Sequence, residues 1–270
     1  MPRLLIAGYG FLGKALEAEF LSAGWTVDKL NRRGNDGCLP CDLSSSEDVT
    51  NLLGRYDLVI HCAASGGGGE ESYRKVYLQG VENLIARFQG ARVIFTSSTS
   101  VYGQADHSEV TEQSPAIPLT ATARVLREAE DLVVNAGGIV ARLSGLYGPG
   151  RCHVFKNLRN GTARIDGAGA RIMNFIHRDD VASAMLLLGA NTTNTDGGIY
   201  NVTANPVSQH DCYAALAAEF DLLMPPLIDA SLPRKRGNSS KRVSNAKLRN
   251  LGWQPQYDDF VSLTHACEQG

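Results

Sequence analysis

Short apolar runs alternate with stretches of helical periodicity along most of the 270 residues. The mainly apolar runs at 3–7 (RLLIA), 25–30 (WTVDKL), 57–63 (DLVIHCA), 91–98 (ARVIFTSS), 138–143 (GIVARL) and 198–203 (GIYNVT) predict strands. Between the first two, Leu12, Leu16 and Phe20 recur every fourth residue and the segment closes at Gly24, which predicts a helix with a glycine stop. Tyr73, Val76, Tyr77, Gly80, Val81 and Leu84 mark one face of a second helix within 72–88, and HRDDVASAMLLLGA (177–190) opens a third with acidic residues at its positive end. Strand and helix alternating in this way predict βαβ units, hence an α/β protein with a doubly wound parallel sheet. After about residue 205 the rhythm changes to helix and loop, with prolines at 225, 226 and 233. The expected core spans 1–150 and continues at 175–205. The expected substrate-side region is 151–174 with 206–270.

Composition narrows the function. A net charge of −2 offers no global field to attract nucleic acid or an anionic membrane surface. No apolar run approaches the roughly 20 residues that span a bilayer. MPRLLIAGYG passes directly into a strand and a glycine turn, so we expect no signal peptide and a cytoplasmic location. The six cysteines are scattered, as reduced thiols are. CLPC at 38–41 has redox or zinc spacing, but Pro40 and Asp42 place it in extended chain, not at a helix start, and no second pair has zinc spacing.

AGYGFLG at 7–13 carries Gly8, Gly10 and Gly13 in GxGxxG spacing, with Phe11 and Leu12 between them. The motif follows a predicted strand and opens a predicted helix, the context that gives it meaning. Gly8 permits the tight turn, Gly10 lets a pyrophosphate approach the backbone, and Gly13 lets the helix pack on the strand. About 20 residues on, where a carboxylate would hold the ribose 2′-hydroxyl of NAD, the chain has Asn31, Arg32 and Arg33. Guanidinium forks suit a 2′-phosphate, which favours NADP and leaves NAD the alternative.

With the cradle in place, further motifs match one family. CDLSSSEDV (41–49), VIHCAAS (59–65), VIFTSSTSVYG (93–103), ARLSGLYGPG (141–150), NFIHRDDVA (174–182), IYNVTANPVS (199–208) and KRVSNAKLRNLGWQP (241–255) resemble the short-chain dehydrogenase/reductase superfamily, in its extended or atypical epimerase/dehydratase group. The resemblance implies a Rossmann-type sheet with a small C-terminal substrate-side subdomain, and a small-molecule substrate such as a nucleotide-linked sugar. It also implies dimerisation through helix faces. It places Asp42 and Leu43 against adenine, and Cys62, Ala63, Ala64 and Ser97 along the cofactor.

In that family a serine orients the substrate oxygen, a tyrosine is the acid/base, and a lysine four residues later lowers the phenol's pKa. Bringing a phenol from about 10 to near 7 takes roughly 4 kcal/mol. Ser98 in TSSTSVYG matches the serine. Counting from the loop SEVTEQSPAIP and from Glu130 puts the tyrosine at Thr122 and the lysine at Leu126, neither of which can do the work. A slipped alignment does not help, because no tyrosine stands between Tyr102 and Tyr147 and no lysine between Lys75 and Lys156.

Tyr102, Tyr147 and His177 are candidate replacements, each with a structural reading: packing for the tyrosines, a helix brace for His177. His177, Asp179 and Asp180 could suggest a metal, but an acidic helix start explains them better and no metal is expected. Arg124 and Arg127 could reach a substrate anion, and so could the basic stretch PRKRGNSSKR (233–242), otherwise a solvated loop. Glu128 and Glu130 are expected on a solvated flank. Two functions stay open: an enzyme using Ser98 with a non-standard proton donor, and a non-catalytic NADP(H) sensor or partner-binding module in which Gly66–Gly69 orders on binding.

Overall fold

Seven parallel strands form the central sheet: β1 (Arg3–Ala7), β2 (Thr26–Asn31), β3 (Leu39–Pro40), β4 (Leu58–His61), β5 (Arg92–Ser98), β6 (Ile139–Leu143) and β7 (Gly198–Val202). They run in the order β7-β6-β5-β4-β1-β2-β3. The computed structural model describes residues 1–190, 197–229 and 239–259. The chain winds outward from β1 in one direction through β2 and β3, then returns to build β4 to β7 on the other side. The order therefore reverses between β1 and β4, which opens a crevice at their carboxyl ends. Ala7 pairs with Leu30 on one side and His61 on the other, so three strand ends are level at that crevice.

Strands β4 and β6 are buried along their whole length, as parallel strands covered on both faces must be. Alternation along β1 divides the core. Leu4 and Ile6 pack with Leu16, Phe20, Met185 and Leu188 from helices α1 (Phe11–Ser22) and α7 (Arg178–Ala190). Leu5 and Ala7 face the other layer, with Val49 of α2 (Ser46–Thr50) and Leu84 and Phe88. On that side Phe95 and Val140 meet Leu126, Ala129 and Val133 of α5 (Ala121–Asn135), whose N-cap Thr120 accepts the Ala123 N–H at 3.2 Å.

The helix expected over 72–88 is broken by a π turn: α3 (Gly69–Tyr73), a π-helical segment Arg74–Gln79, then α4 (Gly80–Arg87). The cause is His61. The Gly80 N–H reaches back to the Lys75 carbonyl, leaving Val76 O to accept from His61 Nε2 at 2.8 Å. Gly80 gives the ring room, since a Cβ there would stand 3.2 Å from His61 Nε2.

The flank expected to be solvated at Glu128 and Glu130 is not uniform. Glu128 is exposed and bound by Arg74, but Glu130 has no solvent exposure. Helical phase turns Glu130 inward beside Ala129 and Leu126, where Arg142 and Ser97 satisfy it.

A second apolar cluster gathers Tyr147, Leu158, Ile165, Met173, Cys212 and Leu216 around α6 (His153–Arg159) and α8 (Gln209–Glu219). Two-residue strand pairs lie outside the central sheet: Ile172–Met173 runs antiparallel to Val207–Ser208, and Arg242–Val243 parallel to Glu109–Val110. Sequence periodicity misses such pairs because two residues carry no period.

Candidate active site

A cleft of about 670 Å³ lies in the crevice at the strand ends. Its floor is the glycine turn. Gly8 has φ +116°, and a Cβ there would stand 2.2 Å from the Ala63 nitrogen. Gly10 has nothing within 4 Å of its absent Cβ, so its backbone faces open space at the start of α1. Gly13 sits behind them, where a Cβ would meet Gly8 O at 2.8 Å and Ile6 Cγ2 at 3.4 Å. The helix thus rests on the strand, and the first N–H groups of α1 are left toward the cleft. These features fit a dinucleotide's pyrophosphate.

At the far side of the turn, Asn31 and Arg32 line the cleft. Asn31 Oδ1 accepts the N–H groups of Arg33 and Gly34 at 2.9 and 2.7 Å, a local turn that sets Arg32 at the rim. Arg33 is exposed and outside the lining. No carboxylate is among the lining residues. Leu43, Phe11 and Leu12 are in the wall, but Asp42 is not: its carboxylate accepts from Ser44 N and Oγ, and Cys41 takes its place in the lining. Both CLPC thiols are free, and burial raises their pKa, that of Cys41 to about 11, the reverse of an activated pair.

Along the middle, Cys62, Ala63 and Ala64 follow β4 and Ser97 and Ser98 close β5. Cys62 Sγ donates to Gly8 O at 3.2 Å, and burial pushes its thiol up to about 12. Ser97 Oγ donates to Glu130 at 2.7 Å, so it braces the wall. Ser98 Oγ accepts from Ser100 N at 3.1 Å and lines both this cleft and a second cavity of about 390 Å³.

The two tyrosines expected to replace the missing acid are elsewhere. Tyr102 is buried outside both linings, its hydroxyl 3.0 Å from Thr111 O and 2.9 Å from Asn201 Oδ1. Tyr147 packs edge-on against Phe175 and His177, also outside both linings. His177 is buried, stacks on Tyr257 and accepts the Asp179 N–H at 3.3 Å, which braces the start of α7. Among the described residues no group of His, Cys, Asp or Glu side chains is placed to hold a metal ion. Arg127 pairs with Asp131 at 2.6 Å and Arg124 is exposed; neither lines the cleft or the second cavity.

Thr122 and Leu126 are absent from both linings too. Thr122 Oγ1 lies 3.3 Å from Thr120 Oγ1, and Leu126 is buried in the apolar cluster with Val81, Phe95 and Ala129. In their place the cleft has residues that sequence reasoning passed over. Tyr77, read only as part of an apolar helix face, lines the cleft from the π turn, and its hydroxyl accepts the Ser65 N–H at 3.4 Å. Ser144 joins Ser98 at the junction of the two cavities; its Oγ is buried without a hydrogen-bond partner. The signal for Tyr77 was a phenol in a helix following a cofactor strand, and the signal for Ser144 was a hydroxyl ending an otherwise buried strand. Of the basic stretch 233–242, residues 233–238 lie outside the described residues, and Lys241 is buried in the wall of the second cavity.

A glycine cradle at the switch point of a doubly wound sheet, with a serine at the end of β5, defines a Rossmann-type dinucleotide-binding protein of the dehydrogenase and epimerase kind. The sequence model of the NAD-dependent epimerase/dehydratase family matches residues 4–203, and the chain belongs to that family. Protein YeeZ of Escherichia coli K12 is 32% identical over 281 residues, covering 96% of this chain and 97% of that one. The solved structure of a candidate NAD-dependent epimerase/dehydratase from Methylobacillus flagellatus is 28% identical with a TM-score of 0.80, covering 97% of this chain and 95% of that one. MoeE5, solved with UDP-glucose and NAD, has the same fold at 22% identity and a TM-score of 0.82, over 100% of this chain and 98% of its own.

Proposed function

We propose that this protein takes NADP in preference to NAD and acts on a carbonyl or hydroxyl group of a small molecule, in the first instance a nucleotide-linked sugar. The observation that carries the reading is one continuous cleft, with the Gly8–Gly10 cradle and Arg32 at one end and Ser98 and Ser144 at the other. When bound, the nicotinamide gives or takes a hydride. The chain's own residues do the rest. Backbone N–H groups at the start of α1 would hold the pyrophosphate, and Arg32, next to the turn that Asn31 fixes, would hold the 2′-phosphate. Ser98 holds the substrate oxygen. In the reducing direction the proton comes from Tyr77 Oη, which already accepts from Ser65 N and so keeps its own O–H for the substrate, and in the oxidising direction it returns there. Its π turn, where Val76 O accepts from His61, presents the phenol that Thr122 does not supply. Solved relatives with UDP-sugars support the substrate class. Cytoplasmic location and a homodimer belong to the same proposal; among the described residues no helix is long and apolar enough to cross a membrane.

Leu126 favours a second reading, a cofactor-binding module without turnover, because the lysine position is given over to core packing. NADPH oxidation against aldehydes, ketones and nucleotide-sugars separates the two. Enzyme action predicts turnover that falls about 10²- to 10⁴-fold in Tyr77→Phe, with NADPH affinity unchanged. Tight NADPH binding with no turnover on any of them supports the module. Turnover that survives both Tyr77→Phe and Ser98→Ala would overturn the assigned roles.

A further inference from the structure

The second cavity adjoins the cofactor cleft at Ser98, Ser144 and Gly145 and extends to Arg171, Asn174 and Lys241. Its described lining contains two cationic side chains and no carboxylate. Lys241 is 3% exposed, and its Nζ donates to the Tyr102 carbonyl at 2.8 Å. An ammonium has three N–H donors, so this bond leaves two to be directed elsewhere. Arg171 has a carboxylate partner, Asp166, at 3.5 Å, whereas among the described residues no carboxylate pairs with Lys241.

A buried charge without a counter-ion is costly, and proteins usually bury Lys only when it is paired. The backbone holds this one in place regardless. Asn174 Nδ2 donates to the Lys241 carbonyl at 2.9 Å and Asn174 Oδ1 accepts Val243 N–H at 3.0 Å, while Arg242 N–H donates to Ser108 O at 2.8 Å. A fixed, uncompensated cation in the wall of a cavity whose described lining holds no carboxylate is what a bound anion would complete.

We propose that this cavity receives an anionic group of the substrate, a carboxylate or a phosphate close to the reacting carbon, with Lys241 as its counter-ion. The proposal rests on the reading of Ser98 as the substrate end of the cofactor cleft. Substrates with a charged group at this position are then preferred over neutral ones of the same shape, and Lys241 is the specificity-determining residue.

Calorimetric titration of the NADPH-loaded full chain tests this with four probes: UDP-glucuronic acid, UDP-glucose, malonate and inorganic phosphate. The acid sugar is expected to bind at least about 10-fold tighter than the neutral one. Lys241→Met is expected to remove that difference, and Lys241→Arg to keep most of it. NADPH affinity, unchanged in both variants, reports that they fold. Malonate or phosphate binding that depends on Lys241 supports the anion site and tells which group it takes, even if neither sugar binds and the nucleotide-sugar reading fails. The proposal is overturned if none of the anions binds, if the two sugars bind equally, or if Lys241→Met binds the anions as the unaltered chain does.

Discussion

Arg142 closes on both carboxylate oxygens of Glu130, with Nε 3.0 Å from Oε1 and Nη2 2.6 Å from Oε2. The pair has almost no solvent exposure, joins α5 to β6, and through Ser97 reaches the wall of the cofactor cleft. Removing the carboxylate would leave an uncompensated guanidinium in the interior. Glu130→Ala is expected to cost about 3–5 kcal/mol in urea unfolding. A cost under about 1 kcal/mol would mean the pair is hydrated.

The two cradle glycines should respond differently. At Gly8 a side chain has neither the backbone conformation nor the space, so Gly8→Ala is expected to lower both the melting temperature and NADPH affinity. At Gly10 the protein leaves room, so Gly10→Ala should melt as the unaltered chain does yet bind NADPH at least about 10-fold more weakly, because the methyl occupies the ligand's space. Parallel melting curves and fluorescence titrations separate the two effects.

Two buried groups pull the pH dependence of stability in opposite directions. Burial lowers His61 to about 4, so its contribution is present above its unfolded value near 6.5 and is lost as pH falls toward 4. Burial raises Asp180 to about 6, although the Gln256 and Tyr257 N–H groups oppose the shift; its contribution is present below about 4 and lost as pH rises through 6. Each amounts to roughly 3 kcal/mol over its window. Between pH 4 and 6 they offset one another. Asp180→Asn should make acid destabilisation steeper than in the unaltered chain, and His61→Gln should make it shallower or reverse it. Identical slopes in all three, by chemical denaturation at stepped pH, would contradict these shifts.

The same residues show what was legible in the sequence. The alternation of apolar runs is a period that survives folding, so the sheet strands fall within a residue or two of expectation except the two-residue β3. The glycine turn was legible because Gly8 and Gly13 each answer a separate steric demand of the fold, Gly8 against Ala63 and Gly13 against Gly8 O. The chemical end was not. Tyr77 lies on an apolar helix face, and its place in the cleft wall comes with a π turn that helical periodicity does not signal. Glu130 read as solvated because its partner Arg142 comes from a strand that the sequence marks only as buried. Lys241 sat inside a basic run whose charge suggested solvent, while its burial depends on contacts with Tyr102 and Asn174, far away in the chain.

A cleft that prefers NADP through Arg32 is open to fluorescence titration of the full chain with NADPH and NADH, unaltered and as Arg32→Ala. NADPH is expected to bind at least about 10-fold tighter than NADH, as one charge-assisted guanidinium–phosphate pair would give, and Arg32→Ala should abolish the difference by weakening NADPH alone. Equal affinities for the two cofactors, or binding of neither, would contradict it.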